Sequence, residues 1–298
     1  MDRVELFIAG AGAAGLAAAV SAWDSGVKKI LLADRGEVPG GVLPQCIHEG
    51  FGLSTYGREL TGPEYAAKLQ KELDRTGAEL SLGTTVLSVS KARRAVLSGR
   101  SGLREIGFDR MILAAGCREN NIYSLPVSGT RPAGIFTAGQ AQKLINIHSL
   151  DVGDNVLILG SGDLGAIMAR RFTLEGKRVI AVVEKEARPG AMARNIRRCF
   201  DAYSIPLMLD TELVRIHGEG RIKGVTLRHK DTGKEEYIPC DTLVTALGLT
   251  PERSLIKNLG EPDWLSFCGN CSRVHDIVDS AVEEARQVGK MTGGTKNA

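Results

Sequence analysis

Three glycines follow a short apolar run near the start of the chain, in the stretch Val4-Glu-Leu-Phe-Ile-Ala-Gly10-Ala-Gly12-Ala-Ala-Gly15. The pattern returns in the second half as Asn155-Val-Leu-Ile-Leu-Gly160-Ser-Gly162-Asp-Leu-Gly165. Short apolar runs of this kind are typical of strands buried on both faces. In a G-x-G-x-x-G turn the first glycine permits a tight bend, the second lets the backbone approach a pyrophosphate, and the third lets the next helix pack close to the strand. Each stretch therefore predicts a strand, a phosphate-binding turn and a helix.

A carboxylate stands 24 residues after the first glycine of each motif, at Asp34 and at Glu184. Both acids end a second apolar run, Lys29-Ile-Leu-Leu-Ala-Asp34 in one case and Arg178-Val-Ile-Ala-Val-Val-Glu184 in the other. An acid at this place accepts hydrogen bonds from a ribose, while the helix N-terminus favours the pyrophosphate. The repeat predicts a protein that holds two dinucleotides, and the usual reason to hold two is to pass electrons between them. Two glycine-rich turns in an ordinary α/β protein are the alternative.

The segments after each acid also follow one order. Apolar runs end in glycine at Gly116 and at Gly248, and each run comes after a stretch that alternates like a small β-meander, residues 81–98 and 221–240. The chain is therefore duplicated at the level of its architecture, although the two sequences have diverged.

Two helix boundaries can be predicted from local sequence. Thr61-Gly-Pro-Glu64 has the spacing of a capping box with a proline near the helix start. Apolar residues from Val274 onward recur every three to four positions, which predicts a final helix that starts just after Cys268-Gly-Asn-Cys271. Residues 290–298 are typical of a disordered end.

Composition limits the class of protein. The 298 residues, 43% of them hydrophobic, suit about two domains with real cores. A net charge of +3 without a basic stripe gives no case for a nucleic-acid partner. Residues 6–23 are apolar enough to mimic a signal peptide, but Asp2 and Glu5 precede them and their glycines fall at nucleotide-binding spacing. With no other long apolar run and six irregularly spaced cysteines, we expect a cytoplasmic protein without a membrane span, a disulfide framework or a metal site.

The motifs together resemble a family of two-dinucleotide flavoproteins, the pyridine nucleotide–disulfide oxidoreductases. The resemblance rests on both glycine motifs with their acids and on three later segments, Ala114-Ala-Gly116, Ala246-Leu-Gly248 and Ser266-Phe-Cys-Gly-Asn270. The last segment is similar to the family's late glycine–aspartate motif, which hydrogen-bonds the ribityl and phosphate region of the flavin. Asn270 stands where aspartate is usual, and its amide can still bond a hydroxyl while omitting the charge.

Three further stretches, at residues 40–52, 116–119 and 131–139, are similar to a narrower group. These are the FAD/NAD oxidoreductases associated with glycerol-3-phosphate dehydrogenases, related to opine oxidase and cyanide synthase subunits. The resemblance implies an α/β fold with two Rossmann-like three-layer dinucleotide-binding domains, the second inserted in the first. The FAD domain would be residues 1–118 plus 249–298, and the NAD(P) domain residues 119–248. This layout is close to that of thioredoxin reductase, and it is compatible with a homodimer.

The resemblance implies two sets of cofactor-binding residues. The FAD set comprises Gly10, Gly12, Ala13, Ala14, Gly15, Asp34, Arg35, Gly41, Val42, Leu43, Val86, Ala115, Gly116, Gly269 and Asn270. The NAD(P) set comprises Gly160, Gly162, Asp163, Leu164, Gly165, Glu184 and Gly248.

Glu184 bears on the choice between NADH and NADPH. The 2′-phosphate of NADPH would approach its carboxylate, and unit charges 4 Å apart repel by about 4 kcal/mol at an effective dielectric constant of 20. Lys185 and Arg188 lie close in sequence and could soften that repulsion. We therefore expect NADH to be preferred.

Cys268 and Cys271 form a C-x-x-C pair that should lie near the flavin. Such a pair at a helix N-terminus can have a lowered thiol pKa and cycle as a disulfide; otherwise both residues are small core side chains. Cys46 and His48 lie in the loop expected beside the flavin ring. Cys46 either shapes that pocket or takes part in catalysis, and His48 either donates a proton or only bonds the loop. The resemblance also implies that the final helix points its N-terminus at the flavin, with His275 in its first turn.

The leading hypothesis is an FAD-containing NADH oxidoreductase that exchanges electrons with a redox partner protein, such as a glycerol-3-phosphate dehydrogenase-like flavoprotein. The second is a thioredoxin reductase-like thiol–disulfide reductase that uses Cys268 and Cys271. The third is a non-catalytic nucleotide-binding subunit of a larger oxidase.

Overall fold

A computed structural model describes residues 2–294. The chain divides into two compact units, one formed by the residues up to Arg118 together with those from Thr250 onward, the other by Glu119–Leu249. Each unit is an α/β structure built on a sheet whose central strands are parallel, so the predicted fold class is confirmed. Short strands, Cys117–Glu119 and Leu249–Pro251, lie where the chain passes from one unit to the other.

The central sheet of the discontinuous unit places Asp2–Ala9 between Ile30–Ala33 and Gly102–Leu113, all parallel. All four residues of Ile30–Ala33 are buried, as expected for a strand covered on both faces. The sheet continues through four further strands, Glu79–Ser81 and Leu265–Phe267, which are parallel to their neighbours, and Arg94–Gly99 and Thr85–Ser90, which form an antiparallel meander. A separate small hairpin pairs Glu49–Phe51 with Leu60–Thr61.

The helices of this unit are Ala13–Asp24, Leu53–Tyr56, Gly62–Leu73 and Val278–Gly294. The predicted capping box is confirmed, because Thr61 caps helix Gly62–Leu73 and exchanges hydrogen bonds with Glu64. The first and last helices pack closely through glycines. A Cβ on Gly289 would lie 2.3 Å from the carbonyl oxygen of Ala18, and one on Gly293 would lie 2.5 Å from Ser25 Cβ.

The final helix differs from the prediction at both ends. It begins at Val278, not directly after Cys271, because residues 272–277 form a turn in which the Asn270 side chain accepts a hydrogen bond from the His275 N–H at 3.0 Å. Apolar periodicity does not detect such a turn. The predicted disorder is also wrong for residues 290–294, which continue the helix, whereas residues 295–298 lie outside the described residues.

The inserted unit repeats the parallel arrangement. Its sheet runs in the order Ile135–Thr137, Thr242–Thr245, Asn155–Leu159, Arg178–Val183 and Leu207–Met208, with every pair parallel. A second sheet contains the antiparallel strands Thr211–Gly218, Ile222–His229 and Glu235–Pro239, and the short strand Ser128–Gly129 joins its edge. The helices are Ala138–Asn146, Asp163–Leu174 and Ala193–Asn195, the last continuing into a π-turn at Ile196–Phe200.

Both parallel sheets present the carboxyl ends of their strands to a glycine turn, at Ala9 in one unit and at Leu159 in the other. Ligands of open α/β sheets bind at this edge. Within residues 2–294, no helix has the length and apolarity to cross a membrane, and no three His, Cys, Asp or Glu side chains converge on a metal position.

Candidate functional site

The first glycine loop, Gly10–Gly15, needs two of its three glycines for folding. A Cβ on Gly10 would lie 2.3 Å from the Ala114 carbonyl oxygen, and one on Gly15 would lie 1.9 Å from the Gly10 carbonyl oxygen. Gly12 is different, since a Cβ there would meet nothing closer than Gly41 Cα at 3.8 Å. The space over Gly12 is thus free in the protein itself, which fits the close approach of a pyrophosphate.

The second glycine loop, Gly160–Gly165, shows the same pattern. A Cβ on Gly160 would lie 2.3 Å from the Ala246 carbonyl oxygen, and one on Gly165 would lie 2.2 Å from the Gly160 carbonyl oxygen. A Cβ on Gly162 would meet no atom within 4 Å. Folding therefore accounts for the outer glycines in both loops but does not account for the middle one.

Each strand-end acid binds its own glycine loop. The Asp34 carboxylate accepts hydrogen bonds from the Ala11 N–H and the Gly36 N–H, both at 2.7 Å. In the inserted unit Glu184 accepts from the Ser161 N–H at 3.0 Å and from the Ser161 hydroxyl at 2.6 Å. Each acid thus fixes the loop beside the place where a ribose would bind.

Ser161 is a site residue that the sequence reasoning missed. It is fully buried, and its hydroxyl oxygen also accepts a hydrogen bond from the Gly190 N–H at 2.8 Å. Burial raises the pKa of Glu184, but the hydrogen bonds from Ser161 and from the backbone of Lys185 and Glu186 together outweigh burial and hold that pKa below its ordinary value. Glu184 is therefore ionised at neutral pH.

Asp163 and Leu164 lie in the first turn of the helix after the second glycine loop. One oxygen of Asp163 accepts from the Met192 N–H at 2.9 Å and from the Asn195 side-chain amide at 2.7 Å. Leu164 packs on the apolar core of the inserted unit. Both contacts serve to fix the loop and the segment that follows Glu184.

The segment Cys268–Ser272, named here the cysteine turn, touches the first glycine loop. Gly269 has φ +66°, and a Cβ there would lie 2.5 Å from Ala14 Cβ. The structure therefore brings Gly269 next to the start of the helix that follows Gly12. The side-chain amide of Asn270 lies 3.5 Å from the Cys117 Sγ, while its oxygen is used by the His275 N–H.

Glu284 reaches back from the final helix to this turn. One of its oxygens accepts from the Gly269 N–H at 3.1 Å, and the other lies 3.0 Å from His275 Nε2 and 3.3 Å from Arg273 Nε. The His275 side chain is only 5% exposed and precedes the helix instead of lying in its first turn. Nothing in the spacing of the sequence signals this cluster.

Cys268 and Cys271 are fully buried free thiols. The Cys271 thiol donates to the Leu113 carbonyl oxygen at 2.8 Å. Burial raises the pKa of both thiols, and the final helix begins too late to lower them through its N-terminus. These surroundings are those of core cysteines, and disulfide cycling by the pair stays a prediction.

The loop that contains Cys46 and His48 is held by hydrogen bonds between its own residues. The Cys46 thiol donates to the Val42 carbonyl oxygen at 3.3 Å, and burial raises the pKa of that thiol to about 12. His48 Nδ1 lies 2.9 Å from the Glu49 carbonyl oxygen, so this nitrogen carries the hydrogen. The Cys46 contacts favour a shaping role over catalysis.

The remaining predicted residues vary in exposure. In the discontinuous unit Leu43 is buried, whereas Arg35, Gly41, Val42 and Ala115 are exposed. Val86 packs on an apolar cluster within strand Thr85–Ser90. Gly116 and Gly248 both have positive φ, +71° and +84°, after the strands that flank the glycine loops.

Two parallel sheets, each with a glycine loop at its carboxyl edge, define a two-dinucleotide α/β protein. The chain belongs to the pyridine nucleotide–disulphide oxidoreductase family, whose model matches residues 4–262. The family is one of oxidoreductases that use pyridine nucleotides.

Two relatives illustrate the range of this similarity. The chain is 28% identical over 280 residues to the hydrogen cyanide synthase subunit HcnB of Pseudomonas aeruginosa, covering 85% of this chain and 58% of the relative. It is 26% identical over 291 residues to a ferredoxin–NADP reductase of Salinispora tropica, covering 95% and 83%. The chain therefore spans less than two thirds of the length of HcnB.

Among solved structures, the T. acidophilum thioredoxin reductase superposes with a TM-score of 0.81 at 19% identity over 100% of both chains. At this identity the likeness concerns the fold alone.

Proposed function

We propose that the discontinuous unit binds FAD at Gly10–Gly15 and that the inserted unit binds NADH at Gly160–Gly165. In this proposal the domains are residues 1–118 plus 249–298 and residues 119–248, and the chain exchanges electrons between NADH and a partner redox protein. The observation that carries the proposal is the pair of free spaces over Gly12 and Gly162, each beside an acid bound to its loop. Bound FAD would supply the capacity to take up a hydride and release its electrons onward.

The residues of the chain contribute binding and orientation. The backbone N–H groups after Gly12 and Gly162 begin helices Ala13–Asp24 and Asp163–Leu174, where anions are favoured. Asp34 and Glu184 hold the loops and face the position of a ribose. Gly269 of the cysteine turn lies next to Ala14 of the first loop, and with Asn270 it belongs to the proposed FAD set.

NADH is the proposed electron donor because Glu184 is ionised and already fixed by Ser161. A fixed carboxylate cannot turn away from a 2′-phosphate without giving up those hydrogen bonds. The neighbouring Lys185 and Arg188 are exposed, so solvent and salt screen the attraction that they would exert on a 2′-phosphate.

The partner is proposed from the resemblance of residues 40–52, 116–119 and 131–139 to the group associated with glycerol-3-phosphate dehydrogenases. Several relatives are themselves named as subunits of larger enzymes, among them HcnB of the cyanide synthase and one component of the opine oxidase of Rhizobium meliloti. A partner flavoprotein fits that pattern. None of the six cysteines, all of which lie within the described residues, is in a disulfide, which fits the reducing cytoplasm that we propose as the compartment.

Gly12→Ala and Gly162→Ala provide the decisive test because an added methyl group has room in the protein at both positions. We expect Gly12→Ala to fold and to lose FAD. Gly162→Ala should keep FAD and its yellow colour but resist bleaching by NADH. Each variant controls for the other, and circular dichroism checks that both are folded.

Three outcomes would reject the proposal or move it to an alternative. FAD retained by Gly12→Ala, or NADH bleaching unaffected in Gly162→Ala, contradicts the assignment of the loops. Wild-type protein that binds FAD but is never reduced by NADH is the non-catalytic subunit. Reduction of a disulfide acceptor without any partner protein, lost in Cys271→Ser, is the thiol–disulfide reductase.

A further inference from the structure

Arg253 holds the C-terminal end of the cysteine turn through two hydrogen bonds and a ring contact. Its Nε donates to the Cys271 carbonyl oxygen and its Nη2 donates to the Ser272 carbonyl oxygen, both at 2.7 Å. Its guanidinium carbon lies 4.5 Å from the centre of the Phe267 ring. Two directed donors and a ring face together fix the guanidinium plane.

These two hydrogen bonds supply donors to carbonyl groups at the C-terminal end of a short 3-10 helix, Gly269–Cys271. Its last carbonyl groups would otherwise lack donor partners within the helix. The other end of the same helix presents the Gly269 N–H, which lies next to the first glycine loop and is held by Glu284 at 3.1 Å. Because this helix is only three residues long, Arg253 at its C-terminal end also sets where its N-terminal end lies.

The position of the cysteine turn matters because there is no spare room between Gly269 and the first glycine loop. A Cβ on Gly269 would lie 2.5 Å from Ala14 Cβ, so the backbone of the turn at Gly269 already packs against the Ala14 side chain of the first glycine loop. A small movement of the turn would shift Gly269 and Asn270 relative to the loop. Charge-assisted hydrogen bonds are shorter and stronger than neutral ones, which suits a residue that limits such movement.

We propose that Arg253 is a positioning residue that holds the cysteine turn in place for FAD. The inference rests on the proposed FAD site and adds a residue outside both glycine motifs and outside the Gly269-Asn270 segment. Lysine is a poor replacement, because its ammonium group has neither the rigid planar fork that bonds both carbonyl oxygens nor the flat face that stacks on the ring.

The test compares Arg253→Lys with Arg94→Lys in the full chain. Arg94 is an exposed arginine of the same unit that pairs with Glu105 at 3.3 Å, so its change to lysine is the matched control. Apoprotein of each variant is titrated with FAD, and flavin fluorescence gives the Kd. The thermal unfolding midpoint is measured for every variant with and without FAD.

We expect Arg253→Lys to bind FAD at least about tenfold more weakly than wild type, as loss of a hydrogen bond to a charged group implies. The midpoint of its apoprotein should stay near that of wild type, while the increase caused by FAD shrinks. Phe267→Leu, which removes the ring but keeps Arg253, should weaken FAD binding in the same direction by a smaller factor.

Equal FAD affinity of Arg253→Lys, Arg94→Lys and wild type would overturn the positioning role and leave the proposed function intact. A fall in the apoprotein midpoint as large as the fall with FAD bound would also overturn it, because Arg253 would then support folding only. Failure of wild type to take up FAD would instead reject the proposed function, and the positioning role with it.

Discussion

The backbone N–H and the hydroxyl of Ser161 both donate to one oxygen of Glu184, at 3.0 and 2.6 Å. The corresponding pair in the other unit, Ala11 and Asp34, has the backbone bond at 2.7 Å and no hydroxyl. In both units the strand-end acid therefore accepts a hydrogen bond from a backbone N–H of the glycine loop. In the inserted unit it also accepts a second hydrogen bond from a side chain. That bond ties the charge of Glu184 to the loop.

Glu184→Gln should relax the choice of nucleotide. Removing the charge eliminates repulsion that is worth about 4 kcal/mol between unit charges 4 Å apart at an effective dielectric constant of 20. We expect the ratio of kcat/KM for NADH to that for NADPH to fall at least about tenfold. Glu186→Gln removes the same charge from an exposed side chain two residues away and should leave the ratio unchanged. An unaltered ratio in Glu184→Gln would contradict the assigned role.

Gly165→Ala should be far less stable than Gly162→Ala. The added Cβ at position 165 would overlap the Gly160 carbonyl oxygen at 2.2 Å, whereas position 162 is open. Overpacking against backbone typically costs about 1–3 kcal/mol or more. Urea unfolding of the two variants and wild type gives the comparison. Equal midpoints for Gly165→Ala and wild type would show that the loop relaxes without cost.

Cys268 and Cys271 should resist alkylation in the folded protein. Burial raises the pKa of both thiols, so little thiolate is present near neutral pH. Iodoacetamide at about pH 8, followed by mass spectrometry, should modify them only after unfolding. Cys271→Ser keeps a donor for the Leu113 carbonyl oxygen and should keep full turnover with NADH. Fast labelling of Cys271, or lost turnover in the serine variant, would favour the dithiol mechanism.

Asp241→Asn should destabilise the inserted unit in a manner that depends on pH. The carboxylate accepts from the Asp154 N–H, the Asn155 N–H and side-chain amide, and the Thr242 hydroxyl, at 2.8 to 3.0 Å. Burial raises the pKa of Asp241, but these hydrogen bonds outweigh burial and lower it. The stabilisation by the ionised form is therefore complete above the pKa of the unfolded chain and is lost as pH falls through the folded value.

We expect Asp241→Asn to lose about 2 kcal/mol of unfolding free energy at neutral pH. The difference in unfolding free energy between the variant and wild type should become smaller below about pH 4. Urea unfolding followed by circular dichroism at several pH values measures it. Asp231→Asn, at an exposed turn of the same unit, is the control. A gap that stays constant down to about pH 3 would contradict the argument.

Local sequence predicted the parts of the fold that depend on local chemistry. The glycine spacing and the two acids predicted both loops because each feature is set within about 25 residues of chain. The capping box at Thr61 and Glu64 was equally local and is confirmed. The start of the final helix was wrong because apolar periodicity cannot register the bond between Asn270 and the His275 N–H.

The contacts that surround the cysteine turn could not be predicted in this way. Glu284 reaches Gly269 across 15 residues and Arg253 reaches Cys271 across 18. Neither separation predicts a contact from the sequence, because only folding brings Glu284 and Arg253 to the cysteine turn. The Ser161 hydroxyl was missed for a simpler reason, because the motif treats its position as variable.

The close packing of helix Ala13–Asp24 on helix Val278–Gly294 has a consequence for biosynthesis. During translation, helix Ala13–Asp24 must wait for helix Val278–Gly294 before its apolar face is covered, whereas Glu119–Leu249 is contiguous and can complete its own core earlier. The inserted unit is thus expected to mature first during translation, and truncation of the chain before Val278 would leave the discontinuous unit exposed to proteolysis.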